Sequence, residues 1–336
     1  MKVLVTGGFG YIGSHCSVAL LEAGYDIVVM DSLVTGHGYV ADVLRSIGPG
    51  KFLGIVEGDL LSQVDIQSAL GSYGKIDAVV HFAALSQVSQ SVKEPTLYYR
   101  NNTVGTLNLL DELRSHGVDK IVFSSTAAVY GETDKIPISE DVPKIPINPY
   151  GRSKLMIESM MDDFSNAYGL RSVRLRYFNV AGADSQCRVG EWHDPETHLV
   201  PNVLKKVLDG KKLEIFGTDY DTPDGTCIRD YVNVEDLADA HVLALKYLES
   251  GGRTDFFNIG TKTGSSVKEI VSECERAFGK RIEVTEGPRR PGDPAKLVAD
   301  NSKAREVLGW EPKRSLGDSV TTALAWERKM RVERQV

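Results

Sequence analysis

The chain opens with Lys2-Val3-Leu4-Val5-Thr6, which runs directly into Gly7-Gly8-Phe9-Gly10-Tyr11-Ile12-Gly13. The apolar run predicts a buried strand, and the glycines predict a tight turn into a helix over residues 12–23. Gly7, Gly10 and Gly13 let the turn tighten, the backbone approach a pyrophosphate, and the helix pack closely on the strand. Because a helix N-terminus presents amide hydrogens to phosphates, this stretch predicts a dinucleotide site.

The next strands supply side chains for the same site. Val28-Val29-Met30-Asp31 ends in a carboxylate eighteen residues after Gly13. An acid there accepts hydrogen bonds from a ribose diol and repels a 2′-phosphate, which favours NAD over NADP as the cofactor. Asp59 and Leu60 follow the third strand and are predicted to reach the adenine. Phe82-Ala83-Ala84 follows the fourth strand, where small residues let the backbone meet the cofactor.

The alternation of strands and helices continues along the chain. Strands are predicted at residues 2–6, 27–30, 52–56, 78–82, 120–125, 173–178 and 256–259, and helices at 12–23, 96–116, 150–168, 233–248, 266–278, 302–308 and 316–330. Several strands are apolar on both faces, which is typical of a parallel sheet covered by helices. The predicted fold class is therefore α/β, a Rossmann-like doubly wound parallel sheet.

A long polar loop at residues 182–197 interrupts this pattern, and no interdomain linker is evident. We expect residues 1–180, with about 233–262, to form the NAD-binding domain. Residues from about 181 to 232, with 263–336, would form a smaller mixed α/β substrate-binding lobe at the C-terminal side.

Composition narrows the class of protein. The chain has 336 residues, of which 42% are hydrophobic and 25% charged, and a net charge of -7, which argues against a nucleic-acid partner. No run approaches the ~18 apolar residues of a membrane span, and the N-terminus leaves no room for a signal peptide. The four cysteines lie far apart without metal-site spacing, so reduced thiols, a cytoplasmic location and no metal are expected.

The stretch Asn148-Pro149-Tyr150-Gly151-Arg152-Ser153-Lys154 indicates the chemistry. Pro149 suits the first position of a helix that Asn148 can cap. Tyr150 and Lys154, one turn apart, would share one face of it. A cation beside a phenol lowers its pKa from about 10, so the pair predicts a base for a sugar hydroxyl. Taken alone, the pattern also fits an ordinary amphipathic helix with a solvated lysine.

Ser124-Ser125-Thr126 ends the fifth strand, on the sheet edge where the cofactor is expected. With Thr126, Tyr150 and Lys154, the chain resembles the extended short-chain dehydrogenase/reductase superfamily and, within it, the UDP-glucose 4-epimerase family. The matching motifs run in order along essentially the whole chain: 7–13, Asp31, 81–84, 124–131, 150–154, 176–179, 197–201, 215–217, 228–231 and 289–293.

The resemblance implies a redox-neutral inversion at C4 of a nucleotide sugar through a 4-keto intermediate, with tightly held NAD. It implies that Tyr150 removes the proton from the 4-hydroxyl and that Thr126 steadies the reacting oxygen. Lys154 would hold the nicotinamide ribose and lower the pKa of the phenol. A threonine replaces the serine more familiar in the family and keeps the hydroxyl.

The resemblance also implies further binding residues. The cofactor residues it implies, besides those above, are Tyr11, Ile12, Asn101, Lys154 and Phe178. The substrate residues it implies are Asn179, Arg229 and Arg290 for the UDP phosphates, Leu199 and Phe216 for the uracil, Asp293 for its ribose, and Tyr177 near the sugar. For Arg229 and Arg290 a structural salt bridge is the alternative, and for Phe216 it is core packing.

Departures from the family pattern leave the sugar open. Ser86 stands where some members carry a lysine, Val88-Ser89-Gln90-Ser91 replaces the more usual Val-Gly-Glu-Ser, and Leu297 replaces a bulky tyrosine gatekeeper. UDP-N-acetylglucosamine, UDP-pentoses and UDP-glucuronate are alternative substrates.

Two other functions fit the sequence less well. A 4,6-dehydratase needs Asp-Glu where this chain has Ala127-Ala128, and a non-catalytic NAD-binding regulator would not need the intact catalytic residues. The resemblance also implies a homodimer formed through residues 96–116 and 156–168, although these faces could equally be buried within one subunit.

Overall fold

The computed structural model describes residues 1–289 and 294–333. Its strands are β1 Lys2–Thr6, β2 Asp26–Asp31, β3 Phe52–Glu57, β4 Ala78–His81, β5 Lys120–Ser124, β6 Arg171–Tyr177, β7 Asn179–Ala181, β8 Leu213–Phe216, β9 Ile228–Arg229, β10 Tyr231–Asn233, β11 Asp255–Ile259, β12 Ser265–Ser266, β13 Val284–Gly287 and β14 Lys296–Leu297. Its α-helices are α1 Tyr11–Glu22, α2 Val40–Ile47, α3 Gln63–Gly71, α4 Val88–Lys93, α5 Pro95–Tyr98, α6 Gly105–Ser115, α7 Pro149–Tyr168, α8 Leu199–Leu208, α9 Val234–Glu249, α10 Val267–Phe278 and α11 Leu316–Glu333.

Seven strands form one parallel sheet in the order β11-β6-β5-β4-β1-β2-β3. The chain winds outward from β1 in one direction through β2 and β3, and in the other through β4, β5, β6 and β11. In such a sheet a crevice opens at the carboxyl ends of the strands where the winding direction reverses, here between β1 and β4. The predicted Rossmann-like fold class is confirmed.

Helices cover both faces of the sheet, which explains why its strands read as continuous apolar runs. Val3 and Val5 face a core shared with α1 and α9, whereas Leu4 faces a second core shared with α3, α6 and α7. All three side chains are fully buried. Alternate residues of one strand therefore serve two separate cores, as the period of two in a strand requires.

The catalytic stretch forms α7 as the sequence predicts. Asn148 caps the helix by accepting a hydrogen bond from the amide of Gly151 (2.8 Å), and Pro149 occupies its first turn. The helix ends at Gly169, whose positive φ of 74° suits a glycine. The cap fixes where the first turn starts, and thereby where Tyr150 and Lys154 point.

The predicted helix at residues 96–116 is interrupted. It consists of α5, a π-helical segment Tyr99–Val104, and α6. A π-helical turn adds a residue to the local repeat and is common at functional sites. The predicted helix at 302–308 is likewise a π-helical turn, Ala304–Leu308.

The C-terminal part of the chain has an apolar core of its own, formed mainly by α8, β8, α10 and α11. This packing supports the two-lobe division, whose boundaries stay predictions. The predicted polar loop at residues 182–197 joins β7 to α8 without regular secondary structure. Within the described ranges, no helix combines the length and the apolar character needed to cross a bilayer.

Candidate active site

A cavity of about 330 Å³ opens at the carboxyl ends of β1, β2, β4, β5 and β6. It brings together the three predicted catalytic residues and all the predicted cofactor residues. These are Gly7, Gly10, Tyr11, Ile12, Gly13, Asp31, Asp59, Leu60, Phe82, Ala83, Ala84, Asn101, Thr126, Tyr150, Lys154 and Phe178. They come from eight separate stretches of the chain, so the fold alone makes them neighbours.

The glycine turn is closely packed at the two positions where the motif demands it. Gly7 has a φ of 70°, and a Cβ added there would lie 2.6 Å from the amide nitrogen of Ala83. A Cβ on Gly13 would lie 2.0 Å from the carbonyl oxygen of Gly7. Side chains at either position would separate the turn from β4 or from α1. The backbone of this turn therefore forms one wall of the cavity without side chains in the way.

Asp31, at the end of β2, is fixed by two backbone donors. Its Oδ2 accepts from the amide of Phe9 and its Oδ1 from the amide of Leu33, both at 2.9 Å. Burial raises the pKa of this carboxyl, and the two amides oppose the shift. The side chain ties the glycine turn to the end of β2 and still lines the cavity, where a ribose diol can be bound.

The π-helical segment Tyr99–Val104 contributes to another part of the cavity wall. The side chain of Asn102 pairs with the backbone of Leu85, with its Oδ1 accepting from the amide and its Nδ2 donating to the carbonyl, each at 2.9 Å. Asn101 donates to the same Oδ1 (2.9 Å) and lines the cavity. Asn102 also donates to Ser153 of α7 (3.3 Å). Asn102 of the π-helical segment thus links the segment after β4 to α7.

Tyr150 lies at the bottom of the cavity and is 9% exposed. Its phenol is hydrogen-bonded to the side chain of Thr126. Burial raises the pKa of Tyr150 to about 12, and the bond from Thr126 opposes the shift only partly. The expected lowering of this pKa is therefore wrong for the chain without ligands, because burial outweighs the polar neighbours of the phenol.

Lys154 is buried one turn further along α7. Its ammonium donates to the carbonyl of Ser124 (2.8 Å) and lies 4.7 Å from the ring centre of Phe123. Burial lowers the pKa of Lys154 to about 7, although the carboxylate of Glu158 acts in the opposite direction. Burial therefore works against the charged form of this amine.

A buried ionic network lies behind the catalytic groups. Glu158 accepts two hydrogen bonds from Arg176, one of them from Nε at 2.9 Å, and a third from Ser125 (2.6 Å). Burial raises the pKa of Glu158, but Arg176 and Ser125 outweigh it and lower the pKa. The network fixes α7 against β5 and β6, and so positions Lys154 and Tyr150 relative to the strand ends.

The predicted substrate residues are only partly assembled. Tyr177 and Asn179 line the cavity, and Tyr177 is hydrogen-bonded to Ser124. The other three in the described ranges, Leu199, Phe216 and Arg229, do not line it. Arg229 is mostly buried and donates to the carbonyls of Ile228 (2.9 Å) and Pro294 (2.8 Å). Arg290 and Asp293 lie outside the described residues.

The cavity is also lined by residues outside the predicted set of catalytic, cofactor and substrate residues. They are Thr6, Met30, Ser32, Val34, Thr35, Gly58, Leu85, Ser86, Ser124, Val180, His193 and His198. Ser32, Val34 and Thr35 immediately follow Asp31, so proximity in sequence could have found them. His193 and His198 belong to the polar loop and the residue after it, and no spacing signal connects them to the glycine turn.

Comparison with known proteins covers nearly the whole chain. The sequence profile of the NAD-dependent epimerase/dehydratase family matches residues 3–260. The UDP-glucose 4-epimerase of Lactobacillus helveticus is 49% identical over 330 residues, which are 98% of this chain and 97% of that protein. The UDP-glucose 4-epimerase of Stenotrophomonas maltophila, solved with NAD and formylated UDP-arabinopyranose, has a TM-score of 0.95 at 38% identity and covers 100% of both chains. The enzyme of that name from Bifidobacterium longum, solved with NAD⁺ and UDP, has a TM-score of 0.92 at 38% identity and covers 98% of both chains.

Proposed function

This chain belongs to the NAD-dependent epimerase/dehydratase family, and we propose that it is an isomerase that interconverts UDP-glucose and UDP-galactose at C4. One observation carries the proposal. The hydroxyl of Thr126, the phenol of Tyr150 and the ammonium of Lys154 reach the same cavity as the glycine turn. Those three groups are sufficient to remove a proton from a secondary alcohol and to return it.

The described residues fit NAD. The glycine turn has no room for a Cβ at Gly7 or Gly13, which leaves its backbone free to face a pyrophosphate. The carboxylate of Asp31 suits a ribose diol, and Asp59 and Leu60 line the adjoining part of the cavity. Bound there, NAD would supply a reversible hydride acceptor for C4 of the sugar.

The chain's own groups move the proton. We infer that Tyr150 removes it from the 4-hydroxyl, while Thr126 holds the reacting oxygen through its hydroxyl. In the chain without ligands the phenol is protonated at neutral pH, because its pKa is about 12. A positive charge brought beside a phenol lowers its pKa. Tyr150 therefore acts as a base only in the loaded enzyme, where Lys154 is held in its charged form.

We propose that the other predicted residues bind the UDP part of the substrate. Asn179, Arg229 and Arg290 would bind the UDP phosphates. Leu199 and Phe216 would pack on the uracil, and Asp293 would hold its ribose. Leu297 pairs with Arg229 across β14 and β9, and it packs in one apolar cluster with Phe178, which lines the cavity. This position supports a role for Leu297 in choosing the sugar.

The test is turnover of a panel of UDP-sugars: UDP-glucose, UDP-N-acetylglucosamine, UDP-xylose and UDP-glucuronate. We expect UDP-glucose to be converted to UDP-galactose. Tyr150→Phe should lower kcat by about 10²–10⁴-fold, because the proton acceptor is lost. Tyr168→Phe, on an exposed tyrosine of the same helix, is the matched control and should leave kcat unchanged.

Four outcomes would count against the proposal. Near-normal activity of Tyr150→Phe would remove the assigned base. A 4-keto-6-deoxy product would indicate a dehydratase despite Ala127-Ala128, and no turnover of any sugar would favour a non-catalytic NAD-binding regulator. NADP rather than NAD released by denaturant would contradict the role of Asp31.

We also propose a cytoplasmic homodimer that acts in galactose metabolism. Apolar side chains on α4, the π-helical segment, α6 and α7 are at least 40% exposed: Val88, Val92, Val104, Leu107 and Met156. Such a patch is typical of a subunit interface. Sedimentation should give twice the chain mass, and Leu107→Arg with Met156→Arg should give monomers. Val64→Arg, on an exposed valine of α3, is the control.

A further inference from the structure

A second group of titratable side chains lies in the polar loop between β7 and α8. The sequence Glu191-Trp192-His193-Asp194-Pro195-Glu196-Thr197-His198 places three carboxylates and two imidazoles within eight residues. One oxygen of each glutamate and one ring nitrogen of each histidine lie within 4.8 Å of one another. We call Glu191, His193, Glu196 and His198 the loop cluster. The proposed reaction uses none of these four groups.

The separations within the loop cluster match those around a small cation. Nδ1 of His198 lies 2.5 Å from Oε1 of Glu191 and 3.5 Å from Oε1 of Glu196. Nδ1 of His193 lies 3.2 Å and 3.9 Å from the same two oxygens. Four ligands about 2.0–2.1 Å from a tetrahedral ion lie about 3.3 Å from one another. The observed distances fall on both sides of that value.

Burial shields the atoms of the loop cluster from solvent. The side chains of Glu191 and Glu196 are only 6% and 5% exposed. Oε1 of Glu191 and Nδ1 of His193 make ion-pair contacts inside the cluster, but neither makes a hydrogen bond of normal geometry among the described residues. Buried polar atoms are normally hydrogen-bonded to protein or water, or bound to an ion. A cation at the centre of the cluster would satisfy both atoms.

The surroundings hold the loop cluster in place. The carbonyl of Glu191 accepts from the indole of Trp326 (3.0 Å). Oε1 of Glu196 accepts from the amides of Thr197 and His198, both at 2.9 Å, and Lys205 lies 3.3 Å from its Oε2. Such outer contacts orient ligands before an ion binds. The ring of Trp192, between two members of the cluster, stacks on His37 at 4.2 Å.

We propose that the loop cluster binds one divalent transition-metal ion, and that this ion is Zn²⁺. Two imidazole nitrogens with two carboxylate oxygens form a four-ligand set that suits zinc, whereas Ca²⁺ and Mg²⁺ prefer oxygen ligands alone. All four positions are supplied by protein, which is typical of a structural site. The spacing of the cysteines predicts no metal, and this site contains no cysteine.

The ion would fix the polar loop against the cavity, because His193 and His198 both line it. The ring of His193 meets the ring of Tyr11 edge-on at 6.3 Å, and the hydroxyl of Tyr11 donates to the carbonyl of Gly182 (2.7 Å), where the loop starts. Tyr11 is the first residue of α1. Metal binding therefore connects the loop to the helix that begins at the glycine turn.

The alternative occupant is protons on both imidazoles, which would also neutralise the two carboxylates. The two cases are separated by metal analysis of the full chain, purified without a histidine tag. The protein is incubated with Zn²⁺, passed through gel filtration, and its zinc content measured by mass spectrometry. We expect about one zinc per chain for the natural sequence, and less than a tenth of that for Glu191→Gln and for His193→Ala.

His116→Ala is the matched control, because His116 also lies near a carboxylate, with Nδ1 3.7 Å from Glu112, but outside the loop cluster. It should keep its zinc. A chelator should lower the Tm of the natural sequence and Zn²⁺ should restore it, while the Tm of Glu191→Gln should respond to neither. Since bound metal stabilises the folded state by mass action, these readouts need no turnover and no NAD.

Two results would overturn the proposal. The first is a natural-sequence protein that retains no zinc and whose Tm is unaffected by chelator. The second is zinc retained equally by Glu191→Gln and His193→Ala, which would place the metal elsewhere. Circular dichroism on each variant shows whether it is folded, and the chelator experiment on the natural sequence does not depend on any variant. Failure of the epimerase assay would leave these outcomes unchanged.

Discussion

The two walls of the cavity are built differently. The cofactor wall, where we expect NAD, consists of strand ends and the glycine turn, and backbone atoms and the carboxylates of Asp31 and Asp59 line it. The sugar wall consists of the residues after β6 and the polar loop as far as His198. Regular secondary structure fixes the first wall, whereas side-chain contacts between distant segments fix the second. A change in the first should therefore affect cofactor retention and folding, and a change in the second should affect substrate choice.

The catalytic pair lies where the walls meet, and we expect the largest effect there. Lys154→Met should lower kcat by about 10²–10³-fold, because a buried cation beside the phenol is lost. Steady-state kinetics with UDP-galactose measures the change. Arg152→Met, on an exposed cation of the same helical turn, should stay within twofold of the natural sequence. Equal losses in both variants would show that the effect comes from the helix and not from the position of Lys154.

The cofactor wall can be tested at its tightest point. Gly7→Ala should release NAD during purification and lower the free energy of unfolding by about 2–4 kcal/mol, because it adds a clash with Ala83 to backbone strain. Gly117→Ala is the control that introduces backbone strain without a clash. The φ of Gly117 is 68°, and an added Cβ would meet nothing within 4 Å. It should cost about 1 kcal/mol and keep NAD. Similar losses in the two variants would mean that backbone strain, and not contact with β4, explains the glycine.

The buried lysine should give the protein without cofactor a measurable pH dependence. The pKa of Lys154 is lowered to about 7, so between about pH 7 and 10 the unfolded chain binds more protons than the folded chain. Stability then rises with pH, by up to about 1.4 kcal/mol per pH unit from this group. Urea unfolding from pH 7.5 to 9, compared with Lys154→Met, isolates this contribution. A slope that is the same in both proteins would contradict the buried position of the amine.

The smallest effect is expected on the sugar wall. Leu297→Tyr should lower turnover of UDP-N-acetylglucosamine relative to UDP-glucose by about tenfold, because a larger ring beside Phe178 leaves less room for an N-acetyl group. Leu297→Met, which nearly conserves volume, should leave the ratio unchanged. The ratio of kcat/KM values for the two sugars is the measurement. An unchanged ratio in Leu297→Tyr would remove this residue from the choice of sugar.

Local sequence was sufficient for much of the architecture. The glycine turn, the acid that ends β2 and the capped start of α7 are each encoded within a few residues, and each lies where the sequence predicts. The interruption of the helix at 96–116 was not predicted. It depends on Asn102 bonding to Leu85 and Ser153, which are close only in the folded chain.

The pKa values of Tyr150 and Lys154 could not be predicted from the sequence without the fold. Spacing places Tyr150 and Lys154 on one helix face, and from that alone a lowered phenol pKa follows. Burial reverses this in the chain without ligands, raising the pKa of Tyr150 to about 12 and lowering that of Lys154 to about 7. How deeply a side chain is buried depends on every segment around it, so spacing along one helix cannot give it.

Sequence alone was enough to predict the fold class, and it gave the candidate cofactor and catalytic residues. These follow from periodicity, glycine spacing and the chemistry of single residues, all of which act over short distances along the chain. The tertiary structure was needed for the pKa shifts of Tyr150 and Lys154 and for the convergence of Glu191 and His193 with Glu196 and His198. Both depend on solvent exclusion and on atomic separations of a few ångströms, which arise when distant segments pack together.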